Sequence, residues 1–277
     1  MELSNKRDAL SALTWLLEAG AGETLGETPV NRFAQPPPAA SAKVLRPAPP
    51  KPSPAPAQAT RSVEAAAAAV SLSTVPGAAR ALAASCKTLA ELKAALEKFD
   101  GIEIKRAAKH LVFADGNPES RIMLIGEAPG RDEDEQGLPF VGRAGKLLDR
   151  MLDAIGLDRS KVYITNVLNW RPPQNRDPSP EEAAACLPFL HRHIELVAPE
   201  VIILLGAVAA RHVLGLSEGI MRLRGRWETY QSAALGRAIP VMPTLHPAYL
   251  LRQPSAKRLA WNDLCAIAAK IEERKLA

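Results

Sequence analysis

Four short apolar segments, each followed by a turn, constrain the fold of this chain more than any other feature. They are RIMLIG (121–126), VYITNV (162–167), VIILLG (201–206) and IPVMPTLHP (239–247). Helical patterns lie between them, at 145–156, at 180–197 and in AVAARHVLGL. Continuous apolar runs are typical of strands buried on both faces, and the intervening helices permit right-handed crossovers. The sequence therefore predicts an α/β fold, a three-layer α/β/α domain around a central four-stranded, mainly parallel sheet.

The chain ahead of this pattern has a different composition. Residues 1–22 predict a short amphipathic helix, and residues 23–60 are a Pro- and Ala-rich segment typical of a disordered linker. Residues 61–98 predict an Ala-rich helical lead-in, and residues 99–277 predict the main folded domain. Two hypotheses stay open for the linker: a plain spacer, or a tether that presents the helix to an unidentified protein partner.

Composition limits the class of protein and its compartment. No run of about 18 apolar residues occurs, so we expect no membrane-spanning helix. The first residues lack the continuous apolar core of a secretory signal. Three widely spaced Cys favour a reducing compartment, so we expect a cytoplasmic protein, and we expect a monomer. A net charge of +5 permits a nucleic-acid partner without requiring one.

Polar residues follow three of the four predicted strands. Glu127-Ala128-Pro129-Gly130 follows the first, Asn166 lies at the end of the second, and His246-Pro247 follows the last. Ligands of open α/β sheets bind beyond the carboxyl ends of the strands, so these turns predict one site at one edge.

The motifs that would identify several enzyme classes are missing. The sequence has no P-loop, no dinucleotide-binding glycine motif after a strand, no His-Glu-x-x-His or Cys-x-x-Cys pair and no Gly-x-Ser-x-Gly elbow. The remaining groups are carboxylates, an amide, an imidazole and Phe140. Such a set suits a planar, hydrogen-bonding ring: Phe140 can stack on it, Asn166 offers a donor and an acceptor, and His246 can stabilise a leaving anion.

Three longer motifs carry a resemblance to a known family. They are GEAPGRDEDEQGLPFVGRAGKLLDRML, YITNVLNWRPPQNRDPSPEE and LHPAYLLRQPSAKRLAW. Together they resemble the family 4 uracil-DNA glycosylases, in order and spacing, from about Leu111 to Leu264. The resemblance implies an α/β/α fold and the excision of uracil from DNA, a step of base excision repair.

The resemblance also implies roles for individual residues. Glu127 and Ala128 would lie beside the sugar and the attacking water, and Phe140 would stack on the flipped uracil. Asn166 would read the Watson–Crick edge of the base. His246 would stabilise the departing uracil anion.

Two further sets of residues are implied by the same resemblance. Glu133 would lie near the base and help to exclude a 5-methyl group. A loop would enter the minor groove with Leu250 or Leu251 as an apolar wedge, and its matching residues are Pro247, Tyr249, Leu250, Leu251 and Arg252.

The cysteines depart from the family pattern. Members usually hold a [4Fe–4S] cluster with four Cys, of which two form an early Cys-x-x-Cys pair. That pair is missing around Phe99–Ile104, Trp170 replaces the third ligand, and only Cys186 matches. Cys86 and Cys265 lie elsewhere. We therefore expect no cofactor and no metal, with Trp170 and neighbouring apolar groups filling the volume.

Several alternatives to a uracil-excising enzyme stay open. The chain could bind DNA lesions without cleaving them, or remove hypoxanthine or xanthine instead of uracil. A related group becomes trapped on DNA through a His in a Lys-Arg-Arg-Ile-His insertion, which is missing between Asn166 and Cys186. We expect turnover, and we interpret His191 and His193 as surface or packing residues.

Overall fold

The computed structural model describes residues 75–232 and 234–276. The predicted N-terminal helix (1–22), the linker (23–60) and the first part of the helical lead-in therefore lie outside the described residues. In the rest of the lead-in, α1 spans 75–85 and α2 spans Leu89–Lys98. No described helix has both the length and the apolar character needed to cross a membrane.

Strands and helices then alternate along the chain. The strands are β1 (Asp115–Gly116), β2 (Ile122–Gly126), β3 (Tyr163–Asn166), β4 (Val201–Leu205), β5 (Glu228–Ser232) and β6 (Arg237–Thr244). The further helices are α3 (Arg131–Gln136), α4 (Arg143–Asp153), α5 (Pro180–Val197), α6 (Ala207–Leu214), α7 (Ile220–Leu223), α8 (Pro247–Arg252) and α9 (Lys257–Arg274).

The sheet has six strands in the order β1-β3-β2-β4-β6-β5. The four predicted strands form its parallel centre, as expected. The strand count is corrected, because antiparallel β1 and β5 flank them. The sequence gives little signal for either edge strand, since β1 has two residues and β5 is a short, mostly polar segment in which Tyr230 and Ser232 are the buried residues.

Two hydrophobic clusters cover the two faces of the sheet. Alternate residues of β2 enter different clusters: Met123 and Ile125 pack with α2, α5 and α6, whereas Ile122 and Leu124 pack with α4 and α9. This alternation is the three-layer arrangement predicted from the apolar runs.

Strand register brings the carboxyl ends of the central strands together. Gly126 of β2 pairs with Asn166 of β3, and Leu205 of β4 pairs with Thr244 of β6. The segments that follow β2, β3 and β6 therefore meet at one edge of the sheet, where the polar turns of the sequence lie.

Candidate active site

A pocket of about 450 Å³ opens at this edge. It brings together all the predicted catalytic and base-binding residues, and one of the predicted DNA-binding residues, Arg252. They are Glu127, Ala128, Glu133, Phe140, Asn166, His246 and Arg252. Because these residues come from three separate segments of the chain, the pocket exists only in the folded domain.

Asn166 forms part of the pocket wall and carries an unpartnered polar atom. The side chain is 3% exposed, and its Oδ1 has no hydrogen-bond partner, the one such buried side-chain atom within the described residues. An unsatisfied buried polar group costs about 1–3 kcal/mol, so native proteins seldom keep one without a function. The orphaned oxygen therefore indicates a ligand that brings a donor.

Phe140 lies beside Asn166 in an unusual backbone conformation. Its φ is +55°. A Cβ added at Gly145 would lie only 1.6 Å from the carbonyl oxygen of Phe140, so a larger residue does not fit there. Gly126 lies against both residues, since a Cβ there would be 2.4 Å from Asn166 Oδ1 and 2.5 Å from Phe140 Cζ. Gly126 and Gly145 therefore make room for the recognition residues, and neither was singled out from the sequence.

Glu133 frames the pocket through its hydrogen bonds to the backbone. Its Oε2 accepts from Gly130 N (3.1 Å), and its Oε1 accepts from Val141 N (3.0 Å) and Gly142 N (2.9 Å). Oε1 thus holds the turn that carries Phe140, and Oε2 caps the start of α3. This geometry gives Glu133 a positioning role, whereas its catalytic role and the exclusion of a 5-methyl group stay predictions.

His246 is held as a neutral imidazole. Ala248 N donates to its Nδ1 at 3.1 Å, so the ring proton lies on Nε2. Burial, and then the nearby positive charge of Arg252, lower the pKa of His246 to about 4. Its ring centroid lies 5.6 Å from that of Phe140. The imidazole is therefore suited to donate a hydrogen bond and is a poor source of a full proton.

Gly206 packs closely against His246. It has φ +98°, and a Cβ there would lie 2.9 Å from His246 Cβ. Its N–H donates to Thr244 O at 2.9 Å. Only glycine readily adopts this conformation at so close an approach, so Gly206 is a further residue of the site that sequence reasoning missed.

Glu127 is a half-buried carboxyl at the end of β2. Burial raises its pKa, repulsion from Asp177 raises it further, and the positive charge of Arg252 opposes both. Asp177 was not predicted, and it lines the pocket with Asn175 and Arg176. The polar turn QNRDPSP follows the predicted strand β3 and was the signal that could have indicated these residues.

The predicted DNA-binding segment forms helix α8 and part of it is buried. Tyr249 is 36% exposed, Leu251 is half-buried and Arg252 is exposed. Leu250 is 1% exposed, because it packs into the cluster formed with α4 and α9. The prediction of Leu250 as a wedge is thus corrected, and Leu251 is the leucine that remains near the surface. Pro247 is buried as well, at the first turn of α8.

The region that corresponds to the family's cluster ligands is an apolar core. Phe99 packs on Phe189 with ring centroids 5.2 Å apart, and Ile102 and Trp170 are 2% and 3% exposed in the same cluster. Cys186 is fully buried there, and burial raises the pKa of its thiol to about 12. A [4Fe–4S] cluster takes four thiolates, whereas no group of three or more Cys, His, Asp or Glu within the described residues is placed to hold a metal, so this apolar core does not fit an iron–sulfur cluster.

The other two cysteines also lie in settings unsuited to a cluster. Cys86 is buried, and its Sγ donates to Leu82 O at 3.3 Å. Cys265 is exposed on α9. His191 and His193 on α5 pack against tyrosines, with 2.7 Å between His191 Nδ1 and Tyr230 Oη and 2.8 Å between His193 Nε2 and Tyr163 Oη.

The sequence of this domain has counterparts among known proteins. A model of the Uracil DNA glycosylase superfamily matches residues 113–265, and the chain belongs to that superfamily. The matched region includes every strand from β2 to β6 and all the pocket residues named above. Within the superfamily, the chain belongs with the type-4 enzymes, so the resemblance stated from the sequence is confirmed.

Three relatives illustrate this placement. The Type-4 uracil-DNA glycosylase of Archaeoglobus fulgidus is 47% identical over 152 residues, which cover 53% of this chain and 75% of that protein. The Type-4 uracil-DNA glycosylase of Thermotoga maritima is 43% identical over 158 residues (56% and 80%). The Type-5 uracil-DNA glycosylase of Thermus thermophilus is 35% identical over 115 residues (36% and 52%).

Proposed function

We propose that this chain is a monofunctional DNA glycosylase that flips uracil out of DNA and excises it by hydrolysis, leaving an abasic site. The observation that carries the proposal is the unpartnered Asn166 Oδ1, buried beside the Phe140 ring in a pocket that also holds Glu127 and His246. Uracil DNA, single- or double-stranded, is then the partner of this site.

Recognition follows from the hydrogen-bonding edges of the bases. A base inside a duplex is inaccessible, so it is flipped out at a cost of a few kcal/mol. Uracil presents N3–H as a donor and O4 as an acceptor, which match Asn166 Oδ1 and Nδ2. Cytosine presents the opposite pattern and leaves the Asn166 amide unpaired. Phe140 provides the stacking surface for either ring.

Cleavage of the glycosidic bond separates two charges, and the pocket has groups for each. Negative charge develops on the departing base, where neutral His246 supplies the Nε2–H donor. Positive charge develops on the sugar, as in an oxocarbenium-like transition state. Glu127 acts on this side, either by ordering the attacking water or by stabilising the cationic sugar, with Asp177 nearby.

The pocket favours hydrolysis without strand cleavage. A lyase step needs an amine that forms a Schiff base with the sugar. Among the described residues that line the pocket, the cations are Arg176 and Arg252, and none is a lysine. We therefore assign the chain one chemical step, release of the base.

The test is a cleavage assay on a labelled oligonucleotide that carries a single uracil, single-stranded and paired. The enzyme should release uracil, and hot hydroxide should then break the strand at the abasic site. Asn166→Asp removes the donor half of the amide and should lower the rate at least tenfold. Asn262→Asp adds the same charge on the exposed face of α9 and serves as the matched control.

Each alternative function gives a different result in that assay. Binding without release of any base indicates a lesion binder, and faster release of hypoxanthine or xanthine indicates a shifted specificity. Strand breakage without hydroxide indicates a lyase. A protein–DNA adduct that survives a denaturing gel indicates the trapping chemistry of the related group.

We further propose that the chain works without an iron–sulfur cluster. The burial of Trp170 and Ile102 and the single matching cysteine, Cys186, support this proposal. Freshly purified protein should lack the broad iron–sulfur absorption near about 400 nm and should contain no stoichiometric iron. A band there, bleached by dithionite, would overturn it. Free cysteines also support a reducing compartment, for which we propose the cytoplasm.

A further inference from the structure

The turn that carries Phe140 has a conformation that its own sequence does not favour. A φ of +55° lies in the left-handed region, which residues other than glycine seldom adopt. Such a conformation persists only where surrounding contacts impose it. Glu133 supplies part of the restraint by accepting from Val141 N and Gly142 N, on the carboxyl side of Phe140. The other side of the turn needs a restraint of its own.

Arg159 supplies that second restraint from the segment between α4 and β3. Its Nη2 donates to the carbonyl oxygen of Phe140, and its Nη1 donates to the carbonyl oxygen of Pro139 at 3.2 Å. The guanidinium thus contacts the two consecutive carbonyls that precede the N–H groups bound by Glu133. Two opposite charges therefore hold one short turn: Arg159 donates to its carbonyl groups, and Glu133 accepts from its amides.

The guanidinium is itself fixed by two carboxylates from different elements. Arg159 Nε donates to Asp149 Oδ1 on α4 at 2.8 Å, and Nη1 pairs with Asp115 Oδ2 on the edge strand β1. The Arg159 side chain is 27% exposed, so these pairs are partly shielded from water. The planar fork of arginine suits this arrangement, because it offers several donors in one rigid plane. Arg159 therefore connects the turn to the edge of the sheet.

We propose that Arg159 is a positioning residue for uracil excision, which holds the backbone of Phe140 so that its ring forms the stacking wall of the base pocket. The inference rests on the proposed function and adds a residue outside the pocket lining. A positioning residue differs from a purely structural ion pair in one respect. Loss of Arg159 should slow catalysis only when the Phe140 ring is present, whereas its effect on stability does not require that ring.

A double-mutant cycle distinguishes the two roles. Arg159→Gln should lower the single-turnover excision rate about tenfold when Phe140 is present, and less than twofold in a Phe140→Ala background. Arg159→Lys keeps the charge but loses the fork, so it should recover only part of the rate. An equal loss in both backgrounds, or no loss in either, would overturn the proposal.

Arg192 provides the matched control. It is 24% exposed, pairs with Glu195 at 2.8 Å and donates to Cys86 O at 2.9 Å, but it lies on α5 away from the turn. Arg192→Gln should change the free energy of unfolding by an amount comparable with Arg159→Gln, and leave the excision rate unchanged.

A second measurement does not depend on activity. Hydrogen exchange followed by mass spectrometry should show faster exchange of the Val141 and Gly142 amides in Arg159→Gln, and unchanged exchange there in Arg192→Gln. If these amides stay equally protected in Arg159→Gln, the proposal is wrong even where the variant is too unstable for kinetics. If wild-type protein excises no uracil yet Arg159→Gln loosens the turn, the proposed function fails and the positioning contact stands.

Discussion

Gly126→Ala should damage uracil excision far more than folding. The new Cβ would lie 2.4 Å from Asn166 Oδ1, 2.5 Å from Phe140 Cζ and 2.7 Å from Phe140 Cε2. Ordinary contacts begin near 3.4 Å, so both side chains must move by about 1 Å. Asn166 Oδ1 has no bond to lose, and the Phe140 atoms are the far end of a ring. The strain is therefore relieved by displacing the two groups that are proposed to recognise the base.

The magnitude follows from that distribution of strain. Overpacking a buried site costs about 1–3 kcal/mol, and the lower end applies because the neighbours can shift. A misplacement of about 1 Å in a recognition group can cost about 100-fold in rate. We expect the single-turnover rate on a uracil oligonucleotide to fall about 30- to 100-fold. The free energy of unfolding, from urea titration, should fall by about 1 kcal/mol.

The control is another glycine with free space around it. A Cβ at Gly219 would meet nothing within 4 Å, and its φ is −69°, so Gly219→Ala should leave the excision rate unchanged. A Gly126→Ala rate within twofold of wild type would refute the assignment of Asn166 and Phe140 as the base-recognition pair.

Three further predictions concern single side chains. His246→Ala should slow excision about 100- to 1000-fold. Because the pKa of His246 is about 4, ionisation of His246 should not affect the wild-type rate near pH 6.5. A change in rate near that pH that disappears in His246→Ala would contradict the neutral-donor role. Burial and Asp177 raise the pKa of Glu127, so on acidification the excision rate should begin to fall at a pH above the usual carboxyl range, as Glu127 is protonated. Glu127→Gln should be slow and should lack this acidic fall in rate. If the fall is unchanged in that variant, it belongs to another group. Trp170→Ala should lower the free energy of unfolding by about 3–5 kcal/mol in urea, and a loss below about 1 kcal/mol would contradict its place in the core.

The central sheet was predictable because its strands are continuous apolar runs. Such runs must be buried on both faces, and the centre of a parallel sheet covered by helices provides that environment. The edge strands were not, since pairing of Asp115–Gly116 with β3 depends on register and not on local composition. Glu127, Asn166 and His246 were found because each lies at or just beyond the carboxyl end of a strand. The burial of Leu250 depends on how α8 packs against α4 and α9, which spacing along the chain does not reveal.

The supporting residues of the pocket were the hardest to predict. Gly126, Gly145 and Gly206 act by leaving space for a neighbour that is distant in sequence. Arg159 acts through carbonyl groups of a turn 19 and 20 positions earlier in the chain. Such roles are properties of pairs brought together by folding, so a single sequence read position by position does not contain them.

The apolar core around Trp170 and Cys186 has a consequence for how this protein matures in the cell. On the proposal that the domain works without a cluster, it would need no delivery of iron or sulfide and would hold no cofactor for superoxide or nitric oxide to destroy. We therefore expect the excision activity of cell extracts to stay constant under iron starvation and oxidant exposure. Deaminated cytosines would then be removed from the genome even when metal-dependent repair enzymes have lost their prosthetic groups.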